Sequence, residues 1–491
     1  MKPLTLIKET ALMLFFIIIA VSCAVNPVTG KRQLMIVSEA QEIKQGAEYD
    51  PQVTATFGVY EDADALSFIQ AMADEMGKIS HRPDLKYHVK ILDSPVINAF
   101  AVPGGYIYFT RGIMAQFNNE AELVGVLAHE MGHITARHSV SRQSKQTLGQ
   151  LLLVGGMIAS EEFASYASYA MQGMQLLFLK FSRDDERQAD DLGVAYSSQV
   201  GYDAQMMANF FDVLEKMSLP PEQGGVPTFL STHPSPANRQ EDVMQEANKW
   251  QDSLDIDTWK VNTDPYLEMI EGMVYGEDPR QGYAEDNTFY HPEMKFSFSY
   301  PAGWKLENLP SQVNMAPSDG KALMIFTMAS ASSLEEAATN TIGQLELDQE
   351  ERRNISINGM PAIRIISRQV NSNQSSGSQQ ANRVMSCFID YDNKFYVFHG
   401  VATETDYNTY ADTFFSHINS FSSLNDPSKL NREPMRIQIR RVENTVTVAK
   451  ALSNMGVAQD KIEELALLNN LEPDEIVAEG KKLKVIGYQD Q

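Results

Sequence analysis

The chain has 491 residues, 43% apolar and 21% charged, which is length for about three packed domains. Its 40 Lys and Arg stand against 64 Asp and Glu, a formal net charge of −24. A surface this acidic repels phosphate backbones and excludes nucleic acid as a partner. The two cysteines, Cys23 and Cys387, exclude a disulfide framework and a Cys-rich metal site.

At the N-terminus, Lys2 and Lys8 flank the start of an apolar run, Ala11 to Ala20. Crossing a bilayer takes about 20 apolar residues, so residues 1–22 read as a signal peptide rather than an anchor. The run closes on Ala20-Val21-Ser22-Cys23, which resembles a bacterial lipobox with Ala20 in place of the usual Leu. That resemblance implies cleavage before Cys23, a lipid on its sulfur, and a mature protein tethered to a membrane in the periplasm. Position 24 is Ala and not the Asp associated with inner-membrane retention, so a Gram-negative owner would send the protein to the outer membrane.

Apolar residues at three- and four-residue spacings predict helix over 36–80. Tyr87–Ile91 alternates as a strand, and Asn98–Val102, Pro103-Gly104-Gly105 and Tyr106–Phe109 read as strand, turn, strand. Helical patterns then dominate 118–275. A polar, Gly- and Asp-containing stretch at 276–289 reads as a linker. Strands prevail over 290–425, where the Ser/Asn/Gln run 371–380 reads as a hairpin loop between 361–369 and 383–390. A last unit, 434–487, opens with a strand at Arg436–Arg440 and holds two short helical patterns.

Three of the nine histidines fall within ten residues, and His129-Glu130-Met131-Gly132-His133 contains H-E-x-x-H. On a helix, i and i+4 share a face and two imidazoles can reach one metal ion. Helix is indicated independently: Asn119 and Glu122 make a capping box, and Leu123, Val126 and Leu127 give an apolar face. Two such imidazoles suit zinc, which keeps a third protein ligand and a water when catalytic. Glu130 stands where it can take a proton from that water. Ala136 and Ser139 exclude the metzincin pattern. A candidate third ligand lies downstream, where Glu186 and Asp190 share a helix face and Ala189 and Gly193 permit close packing. Glu186 would ligate the metal, and Asp190 would accept from a ligand imidazole. The competing reading is a solvated face paired with Arg183 and Arg187.

The segments Asn26–Gly30, Asn98–Gly105, His129–His138, Glu186–Asp190 and Ser231–Pro234 with Arg239 together resemble an M48-family zinc metallopeptidase of the soluble, exported branch. The resemblance covers roughly residues 24–250. It implies an α+β fold: a mainly helical zincin-type domain with a small β-sheet over 23–275, followed by a small α+β domain over 290–425. One zinc per chain is implied, held by His129, His133 and Glu186, with Glu130 and Asp190 as catalytic residues. Asn98, Ala99 and Phe100 would lie along the substrate. The His-Pro loop of such enzymes borders the cleft, so His233 either acts during turnover or fills the water position at rest; the alternative is a cap on a helix beginning near Ala237. Residues 434–487 resemble a LysM-like βααβ module, although Glu443-Asn444-Thr445 replaces its usual Gly-Asp-Thr opening.

The function expected is hydrolysis of peptide bonds in misfolded or misassembled envelope proteins. A lipoprotein chaperone or assembly scaffold with latched or secondary protease activity is the alternative. A third reading is a cell-wall binding protein that takes peptidoglycan. His138 is expected to pack or hydrogen-bond off the ligand face. The apolar stretches Leu148–Ala159 and Phe163–Leu179, with Met171 and Met174, are expected to be core helices or a lid. Cys387 is expected to be buried and inert.

Overall fold

The computed structural model describes residues 23–144, 181–218, 227–235, 238–370 and 381–488. The expected signal peptide, the two apolar stretches with Met171 and Met174, the 371–380 loop, Gly224–Val226 and Pro236-Ala237 lie outside these.

Two short strands, β1 (Cys23–Val25) and β2 (Arg32–Leu34), pair antiparallel around Asn26–Gly30. Where helix is expected over 36–80 there are two helices, Glu39–Phe57 and Ala63–Ile79, each started by a side-chain cap, Ser38 and Asp62. Strands β3 (His88–Leu92), β4 (Ala99–Val102) and β5 (Tyr106–Thr110) form a sheet in the order β3-β5-β4. β3 runs parallel to β5 and β4 antiparallel, which leaves β4 at the edge.

Against this sheet packs the fully buried helix Glu120–Thr135. Asn119 caps it, accepting from Glu122 N at 2.9 Å. The return contacts differ from the expected box, since Glu122 accepts from Asn118 N and from Asn119 Nδ2. At its other end, Asn26 Nδ2 donates to Ala136 O and Arg82 Nη1 to Ile134 O, both at 3.1 Å. The N-terminal half of the chain thus adds donors at the carbonyl end of this helix, where partners within the helix run out.

The helices Arg183–Gln199, Gln205–Lys216, Arg239–Ser253 and Thr263–Ile270 complete this core. Glycines set how closely two of them approach. A Cβ on Gly132 would meet Ala189 O at 3.0 Å, and one on Gly193 would meet His129 N at 3.1 Å. Among the described residues no helix is long and apolar enough to cross a membrane.

The stretch read as a linker is ordered: Pro279–Gln281 is a 3-10 turn and β6 (Tyr283–Glu285) pairs with β7 (Thr288–His291). Its polar composition misled because β6 is a three-residue strand, too short to show a period. Next come β8 (Phe296–Ser299), β9 (Lys305–Leu309), β10 (Gln312–Ala316), β11 (Ala322–Ala329), β12 (Asp348–Ile357), β13 (Met360–Val370), β14 (Ala381–Tyr391), β15 (Lys394–Thr403) and β16 (Ser422–Ser423). They make a seven-stranded sheet, β12-β13-β14-β15-β11-β10-β9, and a four-stranded one, β16-β8-β7-β6. Cys387 is fully buried on β14, where burial pushes its thiol up to about 12.

The final unit has β17 (Arg436–Arg441), β18 (Val446–Thr447), helices Val448–Asn454 and Ile462–Leu468, β19 (Ile476–Val477) and β20 (Lys482–Gly487). β17 pairs with β20 and β18 with β19. It shares core with the helical domain, since Ile437 is buried in that domain's cluster.

Candidate active site

His129 and His133 sit one turn apart and project from one face of the Glu120–Thr135 helix, with Nε2 atoms 3.1 Å apart. From the neighbouring helix, Glu186 brings Oε1 to 3.5 Å from His133 Nε2 and Oε2 to 3.7 Å from His129 Nε2. His233 ends the short helix Thr228–Thr232 and directs Nδ1 to 3.3 Å from His129 Nε2 and 3.2 Å from Glu186 Oε1. These four residues form a buried group whose donor atoms all lie within 4.8 Å of one another. Tetrahedral zinc with donors at its usual bond length separates them by roughly 3.3 Å, and the spacings here fall around that value.

Charge points the same way. Glu130, Glu186 and Asp190 are buried, and one buried guanidinium, Arg239, faces them. Three buried carboxylates outnumber that guanidinium, and a dication among them lowers the cost of burying them. Both Glu130 oxygens and His233 Nε2 are buried without a hydrogen-bond partner, the latter 3.6 Å from Glu130 Oε1. The site therefore fits a zinc ion in donor type, spacing and charge.

Asp190 lies behind the ligands. Its Oδ1 is 2.9 Å from His129 Nδ1, and Arg239 donates to both its oxygens at 2.9 and 2.7 Å. A carboxylate at Nδ1 fixes the tautomer that leaves the Nε2 lone pair facing the centre. Arg239 also stacks over Phe211, with its guanidinium carbon 3.7 Å from the ring centroid. His138 Nδ1 is 2.9 Å from His133 Nδ1, and its other nitrogen meets Gln188 Oε1 at 2.9 Å. Phe181 stacks on His133 and Phe229 on His233.

Burial raises the Glu130 carboxyl above its ordinary value, against the pull of His233 and His129. Burial drives His133 well below the ordinary imidazole range. Asp190 goes the other way: burial pushes it up, but Arg239 and His129 outweigh burial and hold it low. A neutral His133 and ionised Asp190 are the forms a metal-ligand set uses.

Glu186 and Asp190 face inward, so the solvated-face alternative does not describe them; only Arg187 makes an exposed pair, with Asp184 at 2.7 Å. The cap alternative for His233 fails as well. The nearest downstream helix starts at Arg239 behind Asn238, and the His233 side chain is fully buried in the cluster. Asn98, Ala99 and Phe100 lie on or just before β4 with side chains almost wholly buried, so only their backbone edge faces outward. Asn98 Oδ1 is buried without a partner. Sequence reasoning named Arg239 only as part of a motif; its fork on Asp190 left no local signal.

Residues 65–247 match the model of Peptidase family M48, and the whole ligand group falls inside that match. A beta-barrel assembly-enhancing protease of Yersinia pestis is 28% identical over 223 residues, 43% of this chain and 44% of that protein. A putative beta-barrel assembly-enhancing protease of Vibrio cholerae is 31% identical over 166 residues, 31% of this chain and 33% of that one. A mitochondrial metalloendopeptidase OMA1 of Arabidopsis thaliana is 29% identical over 179 residues, 36% and 35% of the two chains. The chain spans less than half the length of each relative.

Proposed function

We propose that this chain, whose residues 65–247 match the Peptidase family M48 model, is a zinc-dependent endopeptidase of the bacterial envelope, tethered through Cys23 and cleaving misfolded or misassembled envelope proteins. The observation that carries it is the buried group His129, His133, Glu186 and His233, with spacing and charge suited to one dication. The bacterial relatives are named as beta-barrel assembly-enhancing proteases, known or putative, which supports protein substrates for this chain.

Zinc, when bound, polarises the scissile carbonyl and makes water a nucleophile near neutral pH. Glu130 would supply the base: its oxygens, buried without a hydrogen-bond partner, would accept the water's proton and pass it to the departing amine. Asp190 keeps His129 in the ligating tautomer, and Arg239 keeps Asp190 ionised and aimed. A peptide adding to the β4 edge at Asn98–Phe100 bonds through its main chain, which suits unfolded substrates of varied sequence.

His233 Nδ1, beside the donor atoms of His129 and Glu186, favours a second reading, a protease held latched at rest. A zinc ion held by His233 as well as the other three would keep no open position for water. Peptidoglycan as a partner of residues 434–487 is tested by sacculus binding. The deciding experiment for the main reading is metal analysis with casein cleavage, wild type beside Glu130→Gln. We expect about one zinc per chain in both and a loss of turnover of about 100-fold or more in the variant. Full turnover in Glu130→Gln would overturn the reading.

A further inference from the structure

Lys484 is a fully buried lysine on β20, in the last strand of the chain. Its Nζ donates to Ala115 O at 2.9 Å, Gln116 O at 3.2 Å and Phe117 O at 2.9 Å. These belong to the end of the helix Arg111–Gln116 and its cap, Phe117. The preceding carbonyl, Met114 O, is taken by Tyr266 OH at 2.6 Å. All four carbonyls that a helix end leaves unpaired are thus satisfied, three of them by one side chain from 367 or more residues away. An ammonium has three hydrogens for these three acceptors, and a cation is favoured at the negative end of a helix. Burial pulls Lys484 down to about 7, and the buried Glu122 opposes that shift. Lys484 is itself held by Asn469, which accepts from Lys484 N at 2.7 Å and donates to Lys484 O at 2.9 Å.

The residues so fixed lead directly into the helix that carries the ligands. Only Asn118 and Asn119 separate Phe117 from Glu120, and both are tied to Glu122 in the first turn. His129 follows two turns further on.

We propose that Lys484 is a positioning residue of the metal centre, through which the 434–487 unit fixes the 115–119 turn and so the seat of the His129 and His133 helix. On this view the unit completes the peptidase and is no freely swinging arm. The inference rests on the zinc reading above, and its test can be read without turnover.

The test compares Lys484→Met with Lys482→Met in the full-length, zinc-loaded protein. Lys482 pairs with the exposed Asp264 and Glu268 at the same interface, at 3.0 and 2.7 Å, and leaves 115–117 untouched. Zinc affinity is measured by chelator competition, and amide exchange is followed over 117–124. We expect Lys484→Met to weaken zinc binding about tenfold, the low end for supporting residues, and to speed exchange in that segment. Lys484→Arg should restore most of both, and Lys482→Met should match wild type. Where the enzyme turns over, kcat should fall in Lys484→Met with KM little changed. Zinc affinity and exchange in Lys484→Met equal to those of Lys482→Met would overturn the proposal, even with a lowered melting point. Should Lys484→Met not fold, Lys484→Gln replaces it, and zinc affinity and exchange there equal to those of Lys482→Met would overturn the proposal equally. A wild type that binds zinc without cleaving, with His233→Ala equally inactive, sinks the peptidase reading and leaves this one standing; a wild type that binds none sinks both.

Discussion

Replacing Arg239 with Met keeps much of the volume over Phe211 and removes the charge that faces Asp190 and Glu186. Arg239 and Asp190 are 3% and 5% exposed, so water cannot take over the lost contact. Breaking a buried pair from one side costs about 3–5 kcal/mol, because a bare carboxylate stays behind. Asp190 still keeps His129 Nδ1 at 2.9 Å, which puts the expected loss near the low end, about 3 kcal/mol in the metal-free protein. Bound zinc would compensate Glu186, so the penalty should shrink on loading. The pH dependence has a definite sign. Burial pushes Asp190 up, yet Arg239 and His129 hold it below its ordinary value. A depressed carboxyl contributes stability above its unfolded pKa, about 3.9, and loses it as pH falls through the folded value. The gap between wild type and Arg239→Met should therefore be widest near neutrality and close in acid. Urea unfolding of the helical domain with chelator present measures it, alone and in a cycle with Asp190→Asn. A loss of about 1 kcal/mol or less, the size of an exposed pair, or strict additivity in the cycle, would refute the reasoning.

Further outcomes follow from other residues. His233→Ala should raise basal proteolysis if His233 latches the site and lower it if His233 assists turnover; X-ray absorption should show one nitrogen ligand fewer at rest in the first case. Kinetics and coordination both unchanged would remove His233 from the site. Cys23→Ser should leave the protein unprocessed or released from membranes, read by fractionation and intact mass, because a chain without acyl groups has no anchor of that kind. His399 is buried beside Ser386 Oγ at 2.9 Å, and burial lowers its pKa to about 4 from an ordinary 6.5. A folded form that resists protonation loses stability as pH falls through that window, about 3 kcal/mol in all. His399→Gln should flatten the acid dependence of unfolding of the 290–425 region, and an unchanged slope would count against this cause.

How much of this was legible beforehand differs by residue. His129 and His133 lie four apart, as do Glu186 and Asp190, and a helix converts that spacing into a shared face whatever else the chain does. The Asn119 cap and the small residues Ala189 and Gly193 were equally readable, since caps and close approaches are local demands on side-chain size and polarity. The sequence alone therefore determined the two four-apart pairs, the glutamate beside the first of them and the alternation of the strands. It did not determine what met across the core. His233 reaches His129 from 104 positions away, Arg239 reaches Asp190 from 49, and Lys484 reaches Phe117 from 367. No periodicity records such pairs. A buried charge must find a partner somewhere, and only the packing of whole helices decides which one is near enough. For the same reason the ordered turn and strand at 279–285 passed for a linker: their stability comes from pairing with β7, not from their own composition.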